Sequence, residues 1–274
     1  MRLATVREGA ATFAARVDGD ELVRLPYPDV RAALEAGLAG LDTVDGARSP
    51  LEGASLAPVV PAPDKVICLG QNYEAHAREL GNQRPAYPNL FGKFRGALIG
   101  PYDDIVLPRV GQQVDWEVEL ALVVGRAARH VDGKEAETVI AGFTVLNDVS
   151  VRDWQFRASQ FLQGKTFAST TPVGPWLVTV DELGPAPDLR LTCAVDGTTM
   201  QDGRTGDMSF GPPAIVSYVS DVIELLPGDV IATGTPAGVG VGRDPQVFLE
   251  AGQVVTTEIE GIGVMRNRCV AEEG

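Results

Sequence analysis

Residues 114–124 read V-D-W-E-V-E-L-A-L-V-V, and no other stretch constrains the fold so tightly. Two carboxylates, two positions apart, sit in a segment otherwise built like a buried strand. Side chains of a strand alternate between its faces, so Glu117 and Glu119 are predicted to point the same way. In a poorly solvated place they repel each other and lose hydration unless protons or a cation neutralise them. An all-oxygen ligand set suits a hard divalent ion such as Mg²⁺, Mn²⁺ or Ca²⁺, whereas zinc would recruit His or Cys. The plainer alternative for an isolated E-V-E is a strand with one wet face.

The 274 residues suffice for one large domain, or a domain with a small appendage. A formal charge of −14, from 23 basic and 37 acidic side chains, and the absence of any basic run argue against a nucleic-acid footprint. An anionic small substrate is compatible with that charge, because a metal and one local Lys reverse the sign of a single pocket. Cys68, Cys193 and Cys269 are widely spaced and form no C-x-x-C pair, which reads as reduced thiols of a cytoplasmic protein. The N-terminal residues lack the apolar core of a signal peptide, and no segment approaches membrane-spanning length.

Short strands are predicted over 3–6, 12–17 and 21–24, followed by a helix over 29–38 with Asp29 as N-cap. The prolines at 58, 61 and 63 make 58–64 a stiff extended linker, dividing a small unit (1–57) from the main one (65–274). Beyond it strands dominate, predicted over 65–69, 116–124, 139–148, 176–180, 189–195, 230–233 and 254–270, the last with a turn near Gly261. Asp196-Gly197 is a two-residue hairpin signal. Helices are predicted over 73–80 with Gly81 as stop, over 150–156 with Ser150-x-x-Asp153 as a capping box, and over 212–224. Strands do not alternate regularly with long helices, which disfavours doubly wound and α/β-barrel folds and indicates a β-rich α+β class.

Asp148 ends the apolar run A-G-F-T-V-L-N-D and, with Glu117 and Glu119, completes a set of three carboxylates that leaves coordination positions free. By itself, an Asp near a helix start is more often a cap or turn former. His76 and Glu79 stand three apart on the helix predicted after the 65–69 strand, the spacing with which a carboxylate orients an imidazole base; a surface helix gives the same spacing. Lys165 in Q-G-K-T-F places an ammonium between apolar residues, where it can meet an oxyanion or lie in an ordinary surface loop. The Gly/Pro/Thr segment 227–240, which contains Gly234 and Thr235, offers bare backbone N–H groups for a carboxylate. It lacks the G-K-[ST] of a Walker loop and the dinucleotide fingerprint, and turn geometry alone accounts for its glycines equally well.

From about residue 65 to 270 the chain carries, in order, G-Q-N-Y-E-A-H-A-R-E, A-L-I-G-P-Y-D-D-I-V-L-P, V-D-W-E-V-E-L-A-L-V-V-G, A-G-F-T-V-L-N-D-V-S-V-R-D-W-Q, Q-G-K-T-F and G-D-V-I-A-T-G-T-P-A-G-V-G. This set resembles the fumarylacetoacetate hydrolase superfamily. V-D-W-E-V-E-L and Phe91-Gly92-Lys93-Phe94 are most similar to its domain-containing protein 2 branch, which is linked to oxaloacetate tautomerisation. The resemblance implies a mixed β-roll, a small N-terminal α/β domain and a homodimer. It implies Glu117, Glu119 and Asp148 as ligands of Mg²⁺ (or Mn²⁺), and His76 with Glu79 as a catalytic dyad on a lid helix that orders on substrate binding. Lys165 is implied as the stabiliser of developing negative charge, Gln155, Gly234 and Thr235 as substrate-binding residues, and Ser169 as support for Lys165. Ala168 stands where relatives commonly carry Asp, and Gln71 where acylpyruvate-cleaving relatives carry a basic residue.

The implied enzyme acts on a small anionic 2-oxo or 2,4-dioxo acid through a metal-stabilised enolate. C–C hydrolysis of an acylpyruvate-like substrate is the leading expectation. Oxaloacetate decarboxylation or tautomerisation follows, then isomerisation of a 2-hydroxyhepta-diene-dioate type. A protein that merely binds a dicarboxylate is the alternative from another class, and it would not need a base.

Overall fold

The computed structural model describes residues 1–273 and is built mainly from two mixed sheets. Ten strands of the larger sheet run in the order Arg48–Pro50, Glu21–Arg24, Ala11–Asp18, Arg2–Glu8, Thr171–Thr179, Ile140–Asn147, Val118–Val124, Val230–Ala232, Val66–Gly70 and Asn89–Lys93. Its eleventh, Leu98–Ile99, pairs with Thr171–Thr179 off this path. The smaller sheet has five strands, Thr198–Arg204, Arg190–Val195, Val254–Ile259, Gly263–Ala271 and Ile105–Leu107. Parallel pairs, such as Val230–Ala232 with Val66–Gly70, occur among mostly antiparallel ones. The class is α+β and β-rich, and no barrel closes.

The Val118–Val124 strand shows why the sequence reads as it does: every residue in it is buried. Leu120, Leu122 and Val124 face one core shared with the smaller sheet through Leu191, Cys193, Val255 and Met265. Ala121 and Val123 face a second core, shared with Val30, Ala33 and Leu34 of the N-terminal helix. A strand covered on both sides carries a nearly continuous apolar run. Each such side chain contributes about 1.5–3 kcal/mol on burial, so an acid there is retained against a considerable penalty.

The predicted N-terminal helix forms as Val30–Ala36, and the Asp29 carboxylate accepts the Ala32 N–H at 2.8 Å as its N-cap. Asp196 and Gly197, at φ 49° and 79°, turn the chain between Arg190–Val195 and Thr198–Arg204, the left-handed pair such a two-residue hairpin requires. Hydrogen bonding runs across the proposed division of the chain, because Arg2 and Leu3 pair with Val178 and Leu177. The proline-rich segment packs as well: Val59 and Val60 are fully buried, and the Val59 carbonyl accepts the Thr5 hydroxyl at 2.8 Å.

Two local expectations need correction. The helix predicted over 150–156 is only Arg152–Gln155, with no capping box. Ser150 instead donates its hydroxyl to the Asp148 carbonyl and pairs in a short ladder with Asp115, while Asp153 accepts the N–H groups of Gln112 and Gln113. The strand predicted over 116–124 is interrupted: Val114–Asp115 and Val118–Val124 flank a break at Trp116 and Glu117. Among the described residues no helix is long and apolar enough to cross a membrane, and the three cysteines are free and buried.

Candidate active site

The break in the strand builds the site. Released from the ladder, Glu117 donates its N–H to the Asn147 side-chain carbonyl at 2.9 Å and accepts the Asp148 N–H on its own carbonyl at 2.8 Å. This stitches the start of one strand to the end of its neighbour, where Val118 pairs with Asn147 and Glu119 with Leu146. Glu117, Glu119 and Asp148 thereby converge, with one carboxylate oxygen of each within 4.8 Å of the others, and all three are buried. Alternation along a continuous strand is thus not what aligns them.

Three buried cations surround the acids. Lys165 Nζ lies 2.6 Å from Glu117 and 2.9 Å from Asp148, and it is carried on the Leu162–Lys165 helix. Gly164 lets that helix close on its neighbour, since a Cβ there would lie 2.5 Å from the Gln155 backbone. Lys93, at the end of the edge strand, stands 2.7 Å from Asp148 and donates to the Thr171 hydroxyl and the Lys165 carbonyl. Arg152 reaches Glu117 at 2.7 Å and Asp115 at 2.9 Å, and donates to the Gln155 side-chain oxygen at 2.8 Å. None of Lys93, Arg152 and Asp115 was among the candidates read from the sequence. The available signal was charge balance, because acids in apolar segments call for bases in apolar segments.

Electrostatics separate the acids. Burial works against ionised Glu117, but Lys165 and Arg152 outweigh it and hold its pKa at about 2. Glu119 goes the other way: burial, then the charges of Asp148 and Glu117, push it well above the ordinary glutamate value. Its partner is the Gly234 N–H at 2.7 Å, and no Lys or Arg pairs with it among the described residues. Asp148 Oδ1 is buried and, despite its ionic neighbour Lys93, receives no properly directed hydrogen bond. An all-oxygen set with one uncompensated carboxylate and one orphaned oxygen fits a hard divalent ion.

His76 and Glu79 share the Glu74–Glu79 helix as the spacing predicted, with Nδ1 3.0 Å from Glu79 Oε2. Glu79 Oε1 accepts the Gly238 N–H at 2.8 Å, which docks this helix on the glycine-rich loop. A Cβ at Gly242 would lie 2.5 Å from Glu79 Cγ, and Gly238, at φ 109°, would bring one to 2.3 Å from the Met200 carbonyl, so this approach requires glycine at both.

A cavity of about 350 Å³ brings together His76, Glu117, Lys165, Gln155, Thr235 and Arg152. Thr235 donates to the Val118 carbonyl and accepts from Gln201, while Gly234 spends its N–H on Glu119. Ser169 is not part of the lining, and its backbone bonds Gly96 and Val106. Gln71 lines the cavity, and Ala168 is exposed.

Residues 65–270 match the family model described as fumarylacetoacetate (FAA) hydrolase C-terminal. Human mitochondrial oxaloacetate tautomerase FAHD2A is 48% identical over 217 residues, spanning 78% of this chain and 69% of that protein. A 5-carboxymethyl-2-hydroxymuconate delta-isomerase from Mycobacterium smegmatis superposes with a TM-score of 0.83 at 34% identity, covering 100% of both chains. A maleylpyruvate hydrolase from Sphingobium sp. SYK-6, solved with manganese(II) and pyruvate, gives 0.81 at 30% identity, again over 100% of each.

Proposed function

The chain belongs to the fumarylacetoacetate hydrolase family and is an enzyme of that superfamily, and on this premise we propose that it moves a proton beside the carbonyl of a small 2-oxo acid, as an oxaloacetate keto–enol tautomerase. One observation carries the reading: a single cavity is lined both by Glu117, one member of the buried carboxylate set, and by an imidazole held by a carboxylate. The name of the 48% identical human relative supports oxaloacetate as the substrate.

Glu117, Glu119 and Asp148 would hold the ion, Mg²⁺ in this proposal, which when bound supplies positive charge that polarises the 2-oxo group and acidifies the neighbouring C–H. His76 Nδ1–H donates to Glu79, a tautomer assigned from its partner, so Nε2 is the ring nitrogen free to accept the C3 proton and return it to oxygen. Lys165 provides a second cation for the developing charge, and Gln155 and Thr235 orient the substrate. Gly234 contributes through its bond to Glu119.

C–C hydrolysis of an acylpyruvate-like acid is the second reading. The 350 Å³ cavity favours it by falling within the range for ligands larger than a four-carbon diacid. A cytoplasmic homodimer is part of the proposal, to be checked by sedimentation and cell fractionation. The decisive experiment follows enol-oxaloacetate absorbance with Mg²⁺ and with a chelator, with products analysed by NMR. Metal-dependent loss of the enol without pyruvate formation is expected. No acceleration over buffer, or turnover unaffected by the chelator, would overturn the proposal.

A further inference from the structure

Asp115 lies outside the cavity lining and is completely buried, yet its carboxylate is bonded to Arg152 and to the glycine-rich loop. Oδ1 accepts the N–H groups of Trp116 at 2.9 Å and Gly240 at 2.7 Å. Oδ2 accepts the Val241 N–H at 3.0 Å and Arg152 Nε at 2.9 Å. Two chains of contacts begin there. Through Arg152 one reaches the proposed metal ligand Glu117 at 2.7 Å and the Gln155 side chain at 2.8 Å. Through Gly240 and Val241 the other fixes the glycine-rich loop, two residues from the Gly238 N–H that holds Glu79, which in turn holds His76.

We propose that Asp115 is a positioning residue that sets the carboxylate side and the imidazole side of the site against each other. A carboxylate suits this post because it accepts several N–H bonds at once and offers a guanidinium its charge. The loop has little freedom to compensate, since a Cβ at Gly240 would lie 1.9 Å from the Val247 carbonyl and 2.8 Å from Asp115 Oδ1. The inference rests on His76 and Glu79 being the proton-moving pair, and its test separates the two ideas.

The experiment is Asp115→Asn in the full chain, read by long-range ¹H–¹⁵N spectra of the imidazoles. The chain has 2 histidines, and exposed His130, paired with Asp221, serves as internal reference. An amide retains the shape but replaces an acceptor oxygen by a donor facing Arg152 or a backbone N–H. The expected result is a His76 that leaves the single Nδ1–H tautomer while His130 stays unchanged. We also expect kcat to fall about 100-fold, the scale of a slight misplacement, with KM changing far less, and a loss that is not additive with that of Glu79→Gln. A folded variant whose His76 signals match the wild type, or full additivity with Glu79→Gln, would overturn the inference. If Asp115→Asn fails to fold, Arg152→Lys breaks one chain only. It should weaken Mn²⁺ binding, measured by electron paramagnetic resonance, and leave the His76 tautomer intact; disturbance of both would overturn the branched arrangement. Should Glu79→Gln leave turnover unchanged while Asp115→Asn shifts the His76 signals, the dyad assignment fails and the positioning link stands.

Discussion

Glu119→Gln tests the metal centre through stability, independently of any substrate. Four buried carboxylates, Asp115, Glu117, Glu119 and Asp148, face three buried cations, Lys93, Arg152 and Lys165, and the acid without an ion pair is Glu119. Burial, then Asp148 and Glu117, raise its pKa well above the usual value. Without metal the folded chain therefore binds this proton more tightly than the unfolded chain does. Stability declines as the pH rises from the ordinary glutamate range towards the folded value. An uncompensated buried charge costs about 3–5 kcal/mol. Protonation and the Gly234 N–H relieve part of that, so the isosteric amide should stabilise the metal-free protein by about 1–3 kcal/mol in mildly alkaline buffer. For a chain of this size that is a rise in Tm of roughly 2–10 °C. With Mg²⁺ at about 100 times its Kd the wild type gains about 2.7 kcal/mol and the variant far less, which closes or reverses the gap. Thermal unfolding in chelator and in Mg²⁺, over a range of pH, measures both arms. A variant less stable than the wild type in chelator, or stabilised equally by Mg²⁺, would refute the reasoning.

Glu117 has the opposite sign: with its pKa held at about 2, its ion pairs are fully effective above the ordinary value of 4.5 and are lost as the pH falls from there to about 2. That contribution is roughly 3 kcal/mol; Glu117→Gln should flatten the acid limb of the stability curve, and an unchanged limb would contradict the ion-pair assignment. His76→Ala should lower kcat about 10²–10⁴-fold while calorimetry shows unchanged Mg²⁺ affinity; a parallel loss of metal binding would mean the imidazole belongs to the ligand set.

Local physics was readable from the sequence, and long-range pairing was not. Asp29 as N-cap, Asp196-Gly197 as hairpin turn and His76 with Glu79 on one helix face are each decided within a few residues. The all-apolar run of Val118–Val124 announced a strand covered on both sides, whatever covered it. By contrast, the bond of Arg2 and Leu3 to Val178 and Leu177, which carries the N-terminal strands into the main sheet, depends on a register that no nearby residue encodes. Ser150 shows competition at close range: its hydroxyl could cap a helix or bond the Asp148 carbonyl, and pairing with Asp115 decided for the latter.

The site divides along the same line. Its acids were legible because a charge in an apolar segment is costly wherever it goes, whereas the cations that answer them arrive across 37 residues for Asp115 and Arg152 and 48 for Glu117 and Lys165. Sequence alternation gave Glu117 and Glu119 a common direction for a reason that does not hold, since the strand breaks between Asp115 and Val118. The break is what the chemistry requires. An unbroken ladder would use the Glu117 backbone in sheet pairing, whereas here it binds Asn147 and Asp148 and brings the third carboxylate to the other two. The same irregularity leaves Asp115 at the end of a two-residue ladder, free to bind the glycine-rich loop and Arg152 together. Restoring a regular strand there would scatter the carboxylates and release the loop in one step, so the irregular backbone at Trp116 and Glu117 is the structural condition for both halves of the site.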